Sequence, residues 1–220
     1  MSKRIWFSVG VGFLALAALG AAFSIVAPRV QPLPILLALP DTQLIDQDGR
    51  SFSLSQTRGK VAVVGMIYTY CPDICPLTTA RMKTLQDRIK AAGLSNQVSL
   101  VTFSIDPERD TPVVLKQYAQ VRRVDLSNWT FLTGALDQVQ QLIEQLKVYT
   151  ERVYIVNGTP IPARAMTAPP SSTAAYLVNH TDRVFLVDRR GNVRALVSGS
   201  QMDVEDALRL IRQLLDEPSS

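Results

Sequence analysis

Cys71, Cys75 and His180 are the only cysteines and the only histidine in a chain of 220 residues. The two cysteines stand four apart in the stretch Tyr68-Thr-Tyr-Cys-Pro-Asp-Ile-Cys-Pro76. On a helical turn, positions i and i+4 share a face with Cβ atoms about 5–6 Å apart. Sulfurs held that way can close a disulfide, which needs Cα atoms about 4.4–6.8 Å apart, or grip one soft metal ion between them. A structural disulfide stabilises most when it closes a long loop, and a bridge this short constrains little. Pro72 and Pro76 fix the backbone beside each cysteine, which suits a shaped site. A lone histidine on a strand edge is usually a satisfied structural residue. Joined to two thiolates, though, its imidazole completes a three-donor set. Thiolate suits Cu(I), and imidazole suits copper as Cu(I) or Cu(II). Zinc in a structural site wants a fourth ligand. Asp73 is the only carboxylate inside the motif, and helical spacing turns it away from the sulfurs. Met66, Met166 and Met202 carry thioethers but read as core or surface filling.

The elements that must position these residues are legible around them. Val61 to Tyr68 is an unbroken apolar run, as expected for a strand covered on both faces. From about Pro76 to Ala92 the apolar positions Leu77, Met82, Leu85 and Ile89 recur near helical spacing, and Gly93 ends the helix. A strand-to-helix junction is where an open α/β sheet presents reactive groups. The free N–H groups of a helix N-terminus favour thiolate over thiol there.

Further along, Gln43 to Leu54 reads as a hairpin turning at Asp48-Gly49. Val98 to Ile105 reads as a strand. Asp106 to Pro112 is a loop, with Thr111 as N-cap and Pro112 as first residue of a helix to about Val121. Trp129 to Thr133 reads as a strand and Leu136 to Val148 as a helix. Residues 156–173, with Gly158, Pro160, Pro162, Pro169 and Pro170, read as a long irregular insertion. Tyr176–Val178, Val184–Val187 and Val193–Val197 read as strands, with His180 in a loop between the first two, and Val204 to Leu215 as a terminal helix. Strands alternating with helices predict an α/β fold, a central mixed sheet with helices on both faces. The cysteine motif between the first buried strand and its helix makes it thioredoxin-like.

The formal charge of +4 misleads, because Lys3, Arg4 and Arg29 precede the first acid, Asp41. The remainder is near neutral and shows no basic stripe with aromatics, so nucleic-acid binding is not expected. Ile5 to Ala27 is 23 residues without a charge. At about 1.5 Å per residue such a helix spans a ~30 Å hydrocarbon core. Lys3 and Arg4 before it predict an N-terminus (residues 1–4) on the cytoplasmic or matrix side and everything after on the far side, where cysteine oxidation is allowed. A retained single-pass anchor is expected rather than a cleaved signal. Residues 28–40, with Pro28, Pro32, Pro34 and Pro40, read as a stiff linker, and the folded domain is expected over 41–220.

Tyr68–Pro76, Ser104-Ile-Asp-Pro-Glu-Arg-Asp-Thr-Pro112 and Tyr176-Leu-Val-Asn-His180 together resemble the Sco/SenC family, as do Leu39-Pro-Asp41 and Asp46-Gln-Asp-Gly49. The resemblance covers residues 39–215. It implies a membrane-anchored copper chaperone in the periplasm or mitochondrial intermembrane space, with copper on Cys71, Cys75 and His180. It also implies a role in building the CuA centre of cytochrome c oxidase subunit II, and partners that include another copper chaperone or a thiol oxidoreductase. It implies that the Asp106–Asp110 loop supports the site, although Asp110 and Thr111 before Pro112 would also cap any helix. The family commonly has Asp directly before the histidine, where this chain has Asn179, and the 156–173 insertion is longer than the family pattern. A thiol–disulfide reductase using Cys71 and Cys75 is the alternative, weakened by the usual Cys-x-x-Cys spacing of such enzymes. It would make the chain an enzyme, which a metallochaperone is not.

Overall fold

Why the cysteines and the histidine meet is a matter of sheet order. The computed structural model describes residues 31–168, 171 and 174–218. The proposed anchor over 5–27 lies outside them. Among the described residues, no helix is long and apolar enough to cross a membrane. The chain carries strands β1 (Leu37–Ala38), β2 (Gln43–Asp46), β3 (Ser51–Ser53), β4 (Val61–Ile67), β5 (Val98–Ser104), β6 (Trp129–Thr133), β7 (Thr150–Val156), β8 (Thr159–Pro162), β9 (Tyr176–His180), β10 (Val184–Val187) and β11 (Asn192–Val197). Its α-helices are α1 (Ile74–Ala91), α2 (Pro112–Val121), α3 (Leu136–Gln145) and α4 (Val204–Asp216).

The main sheet runs β1-β11-β10-β4-β5-β6-β2-β3. Its centre, β4-β5-β6, is parallel, and its flanks are antiparallel. This is the mixed sheet that the α/β alternation predicts. All residues of β4 and β10 are buried, so both faces are covered there. Gly65 in β4 leaves room for that packing, since a Cβ would stand 2.6 Å from the Met82 sulfur of α1 and force that side chain to shift. Ile67 registers with Ser104, so the loops leaving β4 and β5 open side by side at one end of the sheet. The turn residues behave as their chemistry asks: Gly49 turns the β2–β3 hairpin at φ +80°, and Gly93 closes α1 at φ +71°.

Three expectations are corrected. First, α1 starts at Ile74 rather than near Pro76. Pro76 sits inside the first turn, where an N–H has no intrahelical partner to lose. Second, the linker does not reach Asp41. The Leu36 N–H donates to the Val193 carbonyl at 2.8 Å, β1 pairs with β11, and Leu39 is buried, so the folded unit begins at Leu33. Third, the stretch before His180 is not an irregular insertion throughout, and His180 is not in a loop of the main sheet. β7 and β8 form a hairpin turning at Asn157-Gly158, both at positive φ. β9 adds to the other side of β7, making a second sheet β8-β7-β9. His180 is the last residue of β9, registered with Thr150.

Candidate metal centre

Cys71 follows β4 in a turn closed by its own N–H donating to the Tyr68 carbonyl at 3.2 Å. Cys75 lies in the first turn of α1, and its backbone N–H donates to the Cys71 sulfur at 3.3 Å. A helix N-terminus thus points at Cys71, as the junction argument requires. Both cysteines are free and buried, Cys71 at 8% exposure and Cys75 at 1%. The two thiols are unequal. The Cys75 thiol donating to its sulfur holds Cys71 down to about 4 against the opposing effect of burial, with the N–H groups of Cys75 and Asp73 assisting. The same contact, with burial, pushes Cys75 up. Alkylation by iodoacetamide should therefore modify Cys71 at a rate nearly constant from about pH 8 to about pH 5, because its thiolate persists down to its pKa. An ordinary cysteine would slow about tenfold per unit below its pKa of ~8.5. A Cys71 rate that falls in that ordinary way would contradict the geometry.

His180 comes from the other sheet to meet them. Its Nε2 is 3.4 Å from the Cys75 sulfur. Its Nδ1 lies 3.0 Å from the Thr181 carbonyl, which can only accept, so that contact places the ring proton on Nδ1 and leaves the Nε2 lone pair facing the sulfurs. Tyr68 stands edge-on to the imidazole at 6.1 Å between ring centroids, and burial pushes its phenol up to about 12. The two sulfurs and an imidazole nitrogen all lie within 4.8 Å of one another. Among the described residues no further His, Cys, Asp or Glu joins this cluster. Asp73 is exposed and outside it, as its spacing predicts. Two thiolates and one imidazole fit a soft, low-coordinate ion and lack the fourth ligand of a structural zinc site.

The supporting residues were only partly foreseen. Asp110 is fully buried and accepts from the Thr69 N–H at 3.0 Å, the Thr69 hydroxyl at 2.5 Å and the Ser104 hydroxyl at 2.5 Å. It ties the cysteine loop to the end of β5, and burial pushes its carboxyl up. Capping α2 falls to Thr111 alone, whose hydroxyl accepts from the Val114 N–H at 3.4 Å. The loop containing them therefore does support the site. Met66 and Met202 are core, as read. Asn179 is exposed and alternates away from His180 along β9, and the partner of the imidazole is the Thr181 carbonyl.

Three residues escaped the sequence reading: Tyr68, Arg109 and Asp182. Asp182, two residues past His180, accepts from Thr78 of α1 at 3.2 Å, from Ser198 at 3.2 Å and from the Ser200 hydroxyl at 2.7 Å. Burial opposes its ionisation, but these hydrogen bonds hold it below the ordinary range. Its position two residues after the histidine was the only signal available.

Comparison with known proteins agrees with this geometry. A Stutzerimonas stutzeri protein named for copper binding is 30% identical over 185 residues, 84% of this chain and 80% of its own. The next curated relatives are spanned over only 45% and 64% of their lengths. The crystal structure of a SCO1/SenC family lipoprotein from Bacillus anthracis str. Ames superposes with a TM-score of 0.67 at 30% identity, over 83% of this chain and 98% of that one. BsSco, described as a member of the Sco family of cytochrome c oxidase assembly proteins with a disulfide switch, shares the fold at a TM-score of 0.64 and 24% identity, over 86% of this chain and 100% of that one. The SCO1/SenC family model matches residues 39–216, and the chain belongs to that family.

Proposed function

We propose that the chain is a copper-binding assembly factor that carries copper as cargo on Cys71, Cys75 and His180. The observation that carries this reading is the convergence of two sulfurs and one imidazole nitrogen within 4.8 Å. Dithiolate holds Cu(I), and the imidazole adds a donor that Cu(II) favours. Partial burial excludes water from the sulfurs while His180 remains half-buried at the surface. The recipient is the CuA site of cytochrome c oxidase subunit II, by family resemblance. Residues 5–27 anchor the protein in the inner membrane, with the folded unit in the periplasm or intermembrane space. Another copper chaperone or a thiol oxidoreductase supplies the metal or keeps the thiols reduced.

The test is anaerobic copper titration of the reduced full-length chain. One copper per chain is expected, and none after oxidation of the thiols. His180→Ala should retain Cu(I) but weaken Cu(II) by more than about tenfold. Absence of stoichiometric copper from the reduced wild type would remove this reading.

The inequality of the thiols favours a second reading, a thiol–disulfide reductase acting on cysteines of an exported protein. The Cys71 thiolate would attack one sulfur of the target disulfide and expel the other, giving a mixed disulfide. Cys75, passing its proton to the leaving thiolate, would then attack the Cys71 sulfur. That releases the target as one thiol and one thiolate, the latter taking its proton from water, and leaves Cys71–Cys75 oxidised, a two-electron transfer. Disulfide exchange abolished by Cys71→Ser but intact in His180→Ala would support it.

A further inference from the structure

The histidine and the cysteines belong to different sheets, so something must hold β9 against the cysteine loop. Arg109, in the loop after β5, is placed to do so. Its Nη1 donates to the Tyr176 carbonyl of β9 at 3.0 Å, and its Nε pairs with the buried carboxylate of Asp106. The Tyr176 phenol donates to the other oxygen of Asp106 at 2.7 Å. The guanidinium also lies 3.7 Å from the Tyr176 ring centroid and 4.9 Å from that of Tyr70, in the turn just before Cys71. One side chain therefore touches all three segments: the β5 loop, the strand bearing His180 and the turn bearing Cys71. Among the described residues its Nη2 is buried without a hydrogen-bond partner, a cost that calls for an explanation.

We propose that Arg109 is a positioning residue for His180, setting the imidazole's approach to the two sulfurs through Tyr176. Tyr176 is four residues before His180, and Asp182, bound to Thr78 of α1, is two after it. The imidazole thus hangs between two fixed points, one on the β5 loop and one on the helix that carries Cys75. The consequence is selective. Dithiolate binding of Cu(I) needs only the cysteine loop, whereas Cu(II) binding draws on the imidazole. Arg109 therefore discriminates between the two oxidation states of the cargo without touching the metal.

This inference rests on the copper-site reading, so the experiment carries one readout without copper. His180 is the only histidine, so its ring protons form a single identifiable pair of NMR signals. In the reduced metal-free full-length wild type, they should show cross-relaxation to the Tyr68 ring. In Arg109→Gln this contact should be lost. With copper, Arg109→Gln should keep one Cu(I) per chain, lose the nitrogen hyperfine coupling of Cu(II) in its paramagnetic resonance spectrum, and bind Cu(II) about tenfold or more weaker. Arg109→Lys keeps the charge but cannot serve carboxylate, carbonyl and rings at once, so it should not rescue. Tyr176→Phe keeps the ring beneath the guanidinium and should fall between. Unchanged ring contacts and Cu(II) coupling in Arg109→Gln, or full rescue by lysine, would overturn the proposal. A wild type that binds no copper but loses the ring contact on Arg109→Gln would overturn the copper reading and leave the positioning role standing.

Discussion

Cys75→Ser should abolish stoichiometric copper binding and at the same time raise the pKa of the other thiol. Cys75 is the most buried of the three donors, and it lies between the remaining two: its N–H and thiol serve Cys71, and its sulfur faces His180 at 3.4 Å. Serine keeps the backbone N–H but offers a hard, protonated oxygen that a soft ion does not accept in place of thiolate. The expected loss is larger than for His180→Ala, which leaves the dithiolate intact. Proton release offers an independent check. Cys71 is already ionised at neutral pH while Cys75 is held protonated, so the two cysteines together should release one proton per copper rather than two. Because that proton must leave, affinity should fall with falling pH, and it should fall more steeply below about pH 4, where Cys71 also begins to protonate. Release of two thiol protons at pH 7, or copper retained at full stoichiometry by Cys75→Ser, would contradict this account.

Arg194→Ala should be the most destabilising single change outside the apolar core, by about 3–5 kcal/mol. The side chain is buried in β11 and paired with Asp188 at 2.9 Å and Glu217 at 2.7 Å. Its Nε also donates to the carbonyls of Leu33 and Pro34, at 3.0 and 3.2 Å. Alanine would leave the buried Asp188 carboxylate with only the looser Arg190 pairing at 4.0 Å, and free the chain entering β1. Burial alone would push the Asp188 carboxyl up, but hydrogen bonds from Asn192 and Arg194 hold it below the ordinary range. The folded state thus binds that proton less readily than the unfolded one. The stabilisation is present above the ordinary carboxylate range near pH 4 and lost as pH falls through the lower folded value. A urea midpoint measured at pH 7 tests the magnitude. The double variant Arg194→Met with Asp188→Asn should recover much of the loss, because the uncompensated charge is gone.

How much of this was legible depends on the range of the interactions. Elements set by local signals were found: β4 from its apolar run, the β2–β3 hairpin from Asp48-Gly49, α2 from Thr111-Pro112. That Cys71, Cys75 and His180 belong together was legible because their types are unique in the chain and their chemistry matches, and the structure does bring them together. Elements set by distant partners were missed. β1 is two residues long and exists only through β11. Arg194 and Leu33 are 161 positions apart, so no window of sequence joins them. β8 was disguised by Pro160 and Pro162, which argue against a strand until its edge position is known. Arg109 lay inside a recognised loop, but its role depends on a second sheet that sequence periodicity does not place.

That edge position has a consequence for recognition. Pro160 and Pro162 lie two apart in β8, so the face that β8 turns away from β7 lacks two N–H donors. The opposite edge of the same sheet, β9, is engaged by Tyr68 at the Val178 backbone and by Arg109 at the Tyr176 carbonyl. The main sheet ends in β1 and β3, of two and three residues. Among the described residues neither sheet offers a long free ladder, so an incoming protein finds little template for strand addition. A protein partner is then expected to be met by side chains and loops, a form of contact that separates more readily than an added strand. The same blunted edges guard the chain against templating its own aggregation.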